Sequence, residues 1–232
     1  MAQKPNDAVM PSLFASLKST ESMPLASRED LERLITKDSM VSSLTMAYRK
    51  RMAISKSYAD ELKPLGPAIS ASLQYDGRGR TLDNVKAETR MIALDYDIHD
   101  ASAEQIESMF NAACQSAYAL AVYHTISGQG IRIIVGYDRA GNCDLTIVEL
   151  FNAMIRKAIG FYNTLLDWEA DQQATDIGRL CGLAHDPAAY FNWNAIPLKL
   201  TPGELKDTQE RIKNEKKKNK GGRPKSSKTR KK

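Results

Sequence analysis

From Met91 onward the apolar residues change their spacing in a set succession, and that succession limits the fold more than anything else in the chain. "MIALDYD" alternates as a strand does, and "SAEQIESMFNAAC" has helical spacing. "YALAVYHT" and "GIRIIVGY" are strand-like again on either side of the turn "ISGQG", and "DLTIVELFNAMIRKAIGFYNTLL" returns to helix. Ser102 and Gln105 predict a capping box for the first helix. Asp144 is the expected N-cap of the second, whose apolar stripe runs through Ile147, Leu150, Phe151, Met154, Ile155 and Ala158. Strands, a hairpin and helices packed on one sheet predict an α+β sandwich.

Upstream, "SREDLERLI" starts a helix with Ser27 as N-cap and Asp30 as the acidic partner of a capping box. A second helical stretch is expected from Met40 to Leu62. Pro64 and Pro67 break it ahead of a strand-like run and a Gly-Arg turn. Residues 1–27 show no period and read as an extended lead-in. The expected organisation is that lead-in, a domain over 28–205 divided into an N-terminal unit (28–90) and a second unit (91–205), and a basic tail over 206–232.

Charge separates the tail from the body. The net charge of the 232 residues is +5, yet Arg211 to Lys232 hold 12 Lys and Arg against one Glu. The remainder therefore carries 21 basic and 27 acidic residues, a net −6. A cationic tail low in apolar residues is expected to be disordered when free and to neutralise phosphates of DNA in a salt-sensitive way. Its "GGRPK" resembles an AT-hook, in which an Arg-Pro unit enters the minor groove; a nonspecific basic tether is the plainer reading. Cys114, Cys143 and Cys181 are scattered and form no CxxC pair, which suits a reducing, cytoplasmic setting. No apolar run approaches the ~20 residues that span a bilayer, so no membrane partner is expected.

Chemistry concentrates in three places. Asp95 and Asp97 are two apart on a strand and share a face, where they can converge on one ion. "SGQGIR" forms the hairpin, and "ADQQATDIGRL" follows the long helix with Asp171 or Asp176 as a third carboxylate. Carboxylates grouped on a sheet hold Mg²⁺ or Mn²⁺ in phosphoryl transfer, and the planar guanidinium groups of Arg132 and Arg179 suit phosphate oxygens. Singly, each group has a plainer explanation: a solvated strand end, turn glycines, a structural ion pair. "SGQGIR" also lacks the ending of a phosphate-binding P-loop. His99, His124 and His185 lack ligand spacing and read as structural, and Trp168, Tyr190, Phe191 and Trp193 as core or lid aromatics.

The order "IALDYD", "TISGQGIRIIV", "DQQATDIGRLCGLAHDPAAYFNWNA" resembles the three-motif pattern of the archaeo-eukaryotic primase superfamily. It is most similar to the primase-like VirE N-terminal family, a Bacteroides-type family of mobile elements and phage genomes. "PSLF", "YADELKPLGPAISASLQYDGRGRTLDNV" and "NWNA" extend the likeness over most of residues 11–197. The resemblance implies a primase-polymerase fold with a palm built like an RNA-recognition-motif sheet and a smaller N-terminal α/β unit. It implies Asp95, Asp97 and Asp171 as metal ligands, with Asp176 as the rival for the third place. Ser127, Gly128 and Gly130 would form the nucleotide-binding hairpin. Arg132 stands where the superfamily pattern has a histidine, which keeps a cationic donor but no proton exchange near neutral pH.

The implied activity is primer synthesis or extension from nucleoside triphosphates on a single-stranded DNA template, by two-metal nucleotidyl transfer with Mg²⁺ or Mn²⁺. Lys56, Lys63, Arg78 and Arg80 are candidates for template or triphosphate contacts, in a segment (49–90) with nine basic residues against five acidic. With no Walker A motif, a helicase would come from a separate protein. Two rival readings share the scaffold: a non-catalytic DNA-binding replication or mobilisation factor, and a metal-dependent nuclease. Retained carboxylates speak against the first, and the SGxG hairpin against the second.

Overall fold

The computed structural model describes residues 9–97, 101–139, 144–171 and 175–220, with side chains to 217. The chain begins with β1 (Ser12–Phe14), β2 (Ser22–Pro24), α1 (Arg28–Thr36), α2 (Ser39–Met52), α3 (Lys56–Asp60), β3 (Ala68–Ser70), β4 (Leu73–Tyr75) and β5 (Val85–Glu88). It continues through β6 (Met91–Asp97), α4 (Ala103–Cys114), β7 (Ala119–His124), β8 (Gly130–Gly136) and α5 (Ile147–Leu166). It closes with β9 (Cys181–Gly182), β10 (Tyr190–Phe191) and α6 (Pro202–Lys220). The architecture is α+β, with two four-stranded antiparallel sheets ordered β2-β1-β3-β9 and β10-β7-β8-β6, and a separate β4-β5 pair.

The second sheet is the split β-α-β arrangement with a hairpin. β8 lies between β6 and β7, pairing Asp95 with Arg132 on one side and Tyr123 with Arg132 on the other. Alternation sorts the strand residues onto two faces. Ile92, Leu94, Tyr96, Ile131, Ile133 and Val135 pack on one side with residues of α4 and α5, among them Phe110, Leu150 and Met154. Met91, Tyr123 and Ile134 face the other way and join Ile69, Cys181 and Leu183 of the first-sheet side, with Leu31 and Ile35 of α1. A register shift between Ala119 and Ala121 places Leu120 and Ala121 together on this inter-sheet face.

Several sequence expectations need correction. The expected lead-in contains β1 and β2, three-residue strands too short to show a period and held by pairing with each other and, through β1, with β3. The single helix expected over 40–62 is divided after Met52, and Ser55 restarts it by accepting from the Tyr58 N–H. Thr146, not Asp144, caps α5: its hydroxyl accepts from the Glu149 N–H while the Glu149 carboxylate accepts from the Thr146 N–H, a complete capping box. At α1 the Ser27 half of the box forms, whereas Asp30 accepts from Arg33 at 3.2 Å.

The expected disordered tail, 206–232, overlaps α6 up to Lys220. Leu205 and Ile212 pack on the helical core, and Glu204 and Lys216 pair with Lys157 and Glu149 of α5 at 2.6 and 2.9 Å. The "GGRPK" segment lies outside the described residues, as do His99 and Cys143. The Ser102–Gln105 capping box and the strand Met91–Asp97 match their sequence expectations.

Candidate functional site

Because Ile92, Leu94 and Tyr96 turn toward the helices, Asp95 and Asp97 turn toward the first sheet. There they line a cleft of about 190 Å³ together with Leu17, Lys63, Thr125, Ser127, Arg132, Asp171, Arg179 and a few residues beside them. Residues from all three motifs therefore line one cavity. Asp171 is brought in by its backbone: its N–H donates to the Asp95 carbonyl at 2.9 Å. Arg179 Nη2 lies 3.8 Å from Asp171 Oδ2.

Asp176 is placed elsewhere. Its carboxylate accepts from the Gly178 N–H at 2.6 Å, an Asx-type turn, and it lines a neighbouring concavity with Thr20, Arg80 and Arg179.

The hairpin between β7 and β8 needs both of its glycines for backbone reasons. Gly128 has φ +71°, and its N–H donates to the Thr125 carbonyl at 2.9 Å. At Gly130 a Cβ would collide with the Tyr96 carbonyl of the paired strand. The Ser127 hydroxyl lies 3.1 Å from that of Thr125 and accepts from the Gln129 N–H at 3.1 Å. Behind the turn, Arg49 of α2 donates through Nε to the Ile126 carbonyl at 3.2 Å and through Nη2 to that of Thr125 at 3.4 Å. Nothing local in the sequence marks Arg49 for this role, because its partners lie more than seventy residues away.

Arg132 sits in the middle of the Asp95–Arg132–Tyr123 row, with its side chain only 11% exposed. Nε donates to Asp95 Oδ1 at 2.5 Å, and Nη1 to the Gly182 carbonyl at 2.5 Å and the Tyr123 hydroxyl at 3.3 Å. Burial works against its charge, but the adjoining Asp95 carboxylate holds the guanidinium well above the ordinary arginine value. Burial pushes the Tyr123 phenol up to about 12 and the Cys181 thiol to about 11, so both stay protonated. The guanidinium is thus bonded to protein groups through Nε and Nη1 and ties β6, β7 and β9 together.

Among the described residues no three His, Cys, Asp or Glu side chains gather closely enough to hold a metal ion by themselves. Asp95 and Asp97, lining the same cleft, are the two carboxylates that could hold a divalent ion arriving with phosphate oxygens. Mg²⁺ is commonly held by one or two carboxylates plus substrate phosphates and water, and Asp95 and Asp97 supply such a pair.

The two described histidines play structural parts. His124 Nδ1 lies 2.8 Å from Asp186 Oδ2, and its ring stacks on Phe110 at 4.7 Å. His185 Nδ1 lies 3.1 Å from the Ile35 carbonyl. Trp193 donates to Glu32, stacks near Phe191 and packs against the inter-sheet core. Among the described residues no helix is long and apolar enough to cross a membrane.

A family model described as "BT4734-like, N-terminal domain" matches residues 61–191, a stretch that contains β6, the hairpin, Asp171 and Arg179. No curated protein and no solved structure matches the chain.

Proposed function

This chain belongs to the family of BT4734-like N-terminal domains, and we propose that it is a primase-polymerase-like nucleotidyltransferase acting on single-stranded DNA with nucleoside triphosphates. One observation carries the proposal: Asp95, Asp97, Ser127, Asp171 and Arg179, drawn from three separate segments, line one cleft between two sheets. Acidic and basic side chains facing each other in a cleft suit a ligand that is itself a polyanion carrying a cation.

In this reading Asp95 and Asp97 would hold the cation, and Asp171, beside Asp95, would complete the acidic wall. Bound Mg²⁺ or Mn²⁺ would supply charge neutralisation at the phosphates and a more acidic attacking hydroxyl. Arg179 would take a phosphate oxygen in addition to Asp171. The Ser127 hydroxyl and the tight turn at Gly128 would fix the position of the triphosphate. Arg132 would act through Asp95, holding that carboxylate in a fixed orientation.

The Asp95–Arg132 pair also favours a second reading, a DNA-binding accessory protein on the same scaffold, because one oxygen of a would-be metal ligand is already engaged. Incorporation of labelled nucleotides on single-stranded DNA, with and without a primer, separates the two. Synthesis that requires Mg²⁺ or Mn²⁺ and disappears in the Asp95→Ala, Asp97→Ala double variant, with DNA binding retained, is the expected result. The primer-free lane reads initiation. Absence of synthesis, with DNA binding that is lost on removing residues 221–232, would establish the accessory role. That deletion leaves the docked helix α6 in place.

A further inference from the structure

The charges lining the cleft are arranged unequally. Arg132 is bonded to Asp95 and Arg179 lies beside Asp171, so each arginine faces a carboxylate of the same cavity. Lys63, in the 3-10 turn Lys63–Leu65, lines the cleft as well, but its carboxylate partner Asp60 stands outside it, 3.0 Å from Nζ. An ammonium has three donors; Asp60 and the Tyr48 hydroxyl engage two, which leaves one for a ligand in the cleft. With its side chain 42% exposed, Lys63 brings into the cleft a positive charge that no cleft carboxylate cancels.

The mounting of that lysine is rigid. Tyr48, fully buried, donates from its hydroxyl to Asp60 Oδ1 at 2.8 Å, and the Lys63 ammonium lies 5.5 Å from the centre of the Tyr48 ring. Burial alone would lower the Lys63 pKa. The bond to Asp60, with Tyr48 beside it, outweighs burial and leaves it above the ordinary lysine value. Tyr48, Ala59 and Leu62 form a small apolar cluster against which Ile126 of the hairpin packs. Together with the Arg49 bonds, this cluster fastens the helical unit α2–α3 to the turn that carries Ser127.

We infer that Lys63 binds the polyphosphate of a nucleoside triphosphate in the cleft that Asp95 and Asp97 also line, so that the turn following α3 forms part of the ligand site. The inference rests on the nucleotide reading of the cleft. A lysine acts here as a point charge on phosphate oxygens, which distinguishes a triphosphate from a monophosphate.

The test is a fluorescence-displacement titration in Mg²⁺ with dATP, inorganic tripolyphosphate, dAMP and an oligo-dT strand, comparing the full chain with Lys63→Met and Lys63→Arg. Lys63→Met should weaken dATP and tripolyphosphate about tenfold while dAMP and oligo-dT change by less than about twofold, and Lys63→Arg should recover most of the loss. A thermal melt checks that both variants are folded, and Lys63→Arg keeps the cation if Lys63→Met is unstable. Unchanged dATP affinity in Lys63→Met, an equal loss for dAMP, or a loss confined to oligo-dT would overturn the assignment while leaving the nucleotide reading intact. A wild-type chain that binds oligo-dT but neither dATP nor tripolyphosphate would overturn both.

Discussion

Arg132 is the residue on which the cleft is built. Its guanidinium reaches a carboxylate, a phenol and a backbone carbonyl contributed by three strands, in a fork geometry that a lysine cannot reproduce. Removing one partner of a largely buried pair leaves the other charge uncompensated, which costs about 3 kcal/mol. Arg132→Ala should therefore lower the unfolding free energy by that amount, read as a lower urea midpoint at unchanged slope, and Arg132→Lys should recover little of it. A lysine variant as stable as wild type would show that charge alone suffices there. The sequence places a cation at this position, but its partner is set by register: Asp95 and Arg132 are direct neighbours across β6 and β8, thirty-seven residues apart.

At the scale of the element, the hairpin shows why its glycines differ. Gly130 opposes Asp97, and a side chain there would push into the Tyr96 carbonyl, backbone that cannot swing away. Gly128 needs its positive φ and has room, with the Arg49 guanidinium as its nearest neighbour. Gly160, inside α5, has no heavy atom near its missing Cβ. Thermal unfolding should accordingly rank the alanine variants: Gly130→Ala loses about 2 kcal/mol by overpacking, Gly128→Ala loses about 1 kcal/mol by strain, and Gly160→Ala gains about 0.8 kcal/mol from helix propensity. Equal losses at Gly128 and Gly130 would mean that the strands can separate to admit a Cβ. The divided α2–α3 stretch follows the same logic of local competition. Ser55 offers its own side chain to the Tyr58 N–H, and this restart places Asp60 and Lys63 where Tyr48 can hold them.

Across the whole molecule, Asp186 links elements that are distant in the chain. Its carboxylate accepts from the His124 backbone and lies against that ring, at the end of β7, and its own N–H donates to the Ile35 carbonyl at the end of α1. Burial would raise its pKa, but the His124 hydrogen bonds outweigh that and hold it below the ordinary 3.8. A folded-state pKa depressed in this way contributes stability in full above about pH 4 that is lost as pH falls through the lower folded value. Asp186→Asn should cost about 2 kcal/mol at pH 7 and flatten the acid limb of the stability profile, measured by denaturant unfolding from pH 7 down to pH 2.5. A variant whose acid limb runs parallel to wild type would place that titration elsewhere. The long periodic elements were legible from the residues alone: β6, α4, β7, β8 and α5 follow from apolar spacing, because burying one face of a strand or helix imposes a period on its sequence. Asp95 and Asp97 on a common face follow from the same period. Only the tertiary structure decided the rest, namely the short strands β1, β2, β9 and β10, the inward engagement of Arg132, the separation of Asp176 from Asp171, and the approach of Arg49 and Lys63 to the cleft. A strand of two or three residues is too short to carry a period, and contacts made across tens of residues depend on how the two sheets stack rather than on any neighbour in sequence.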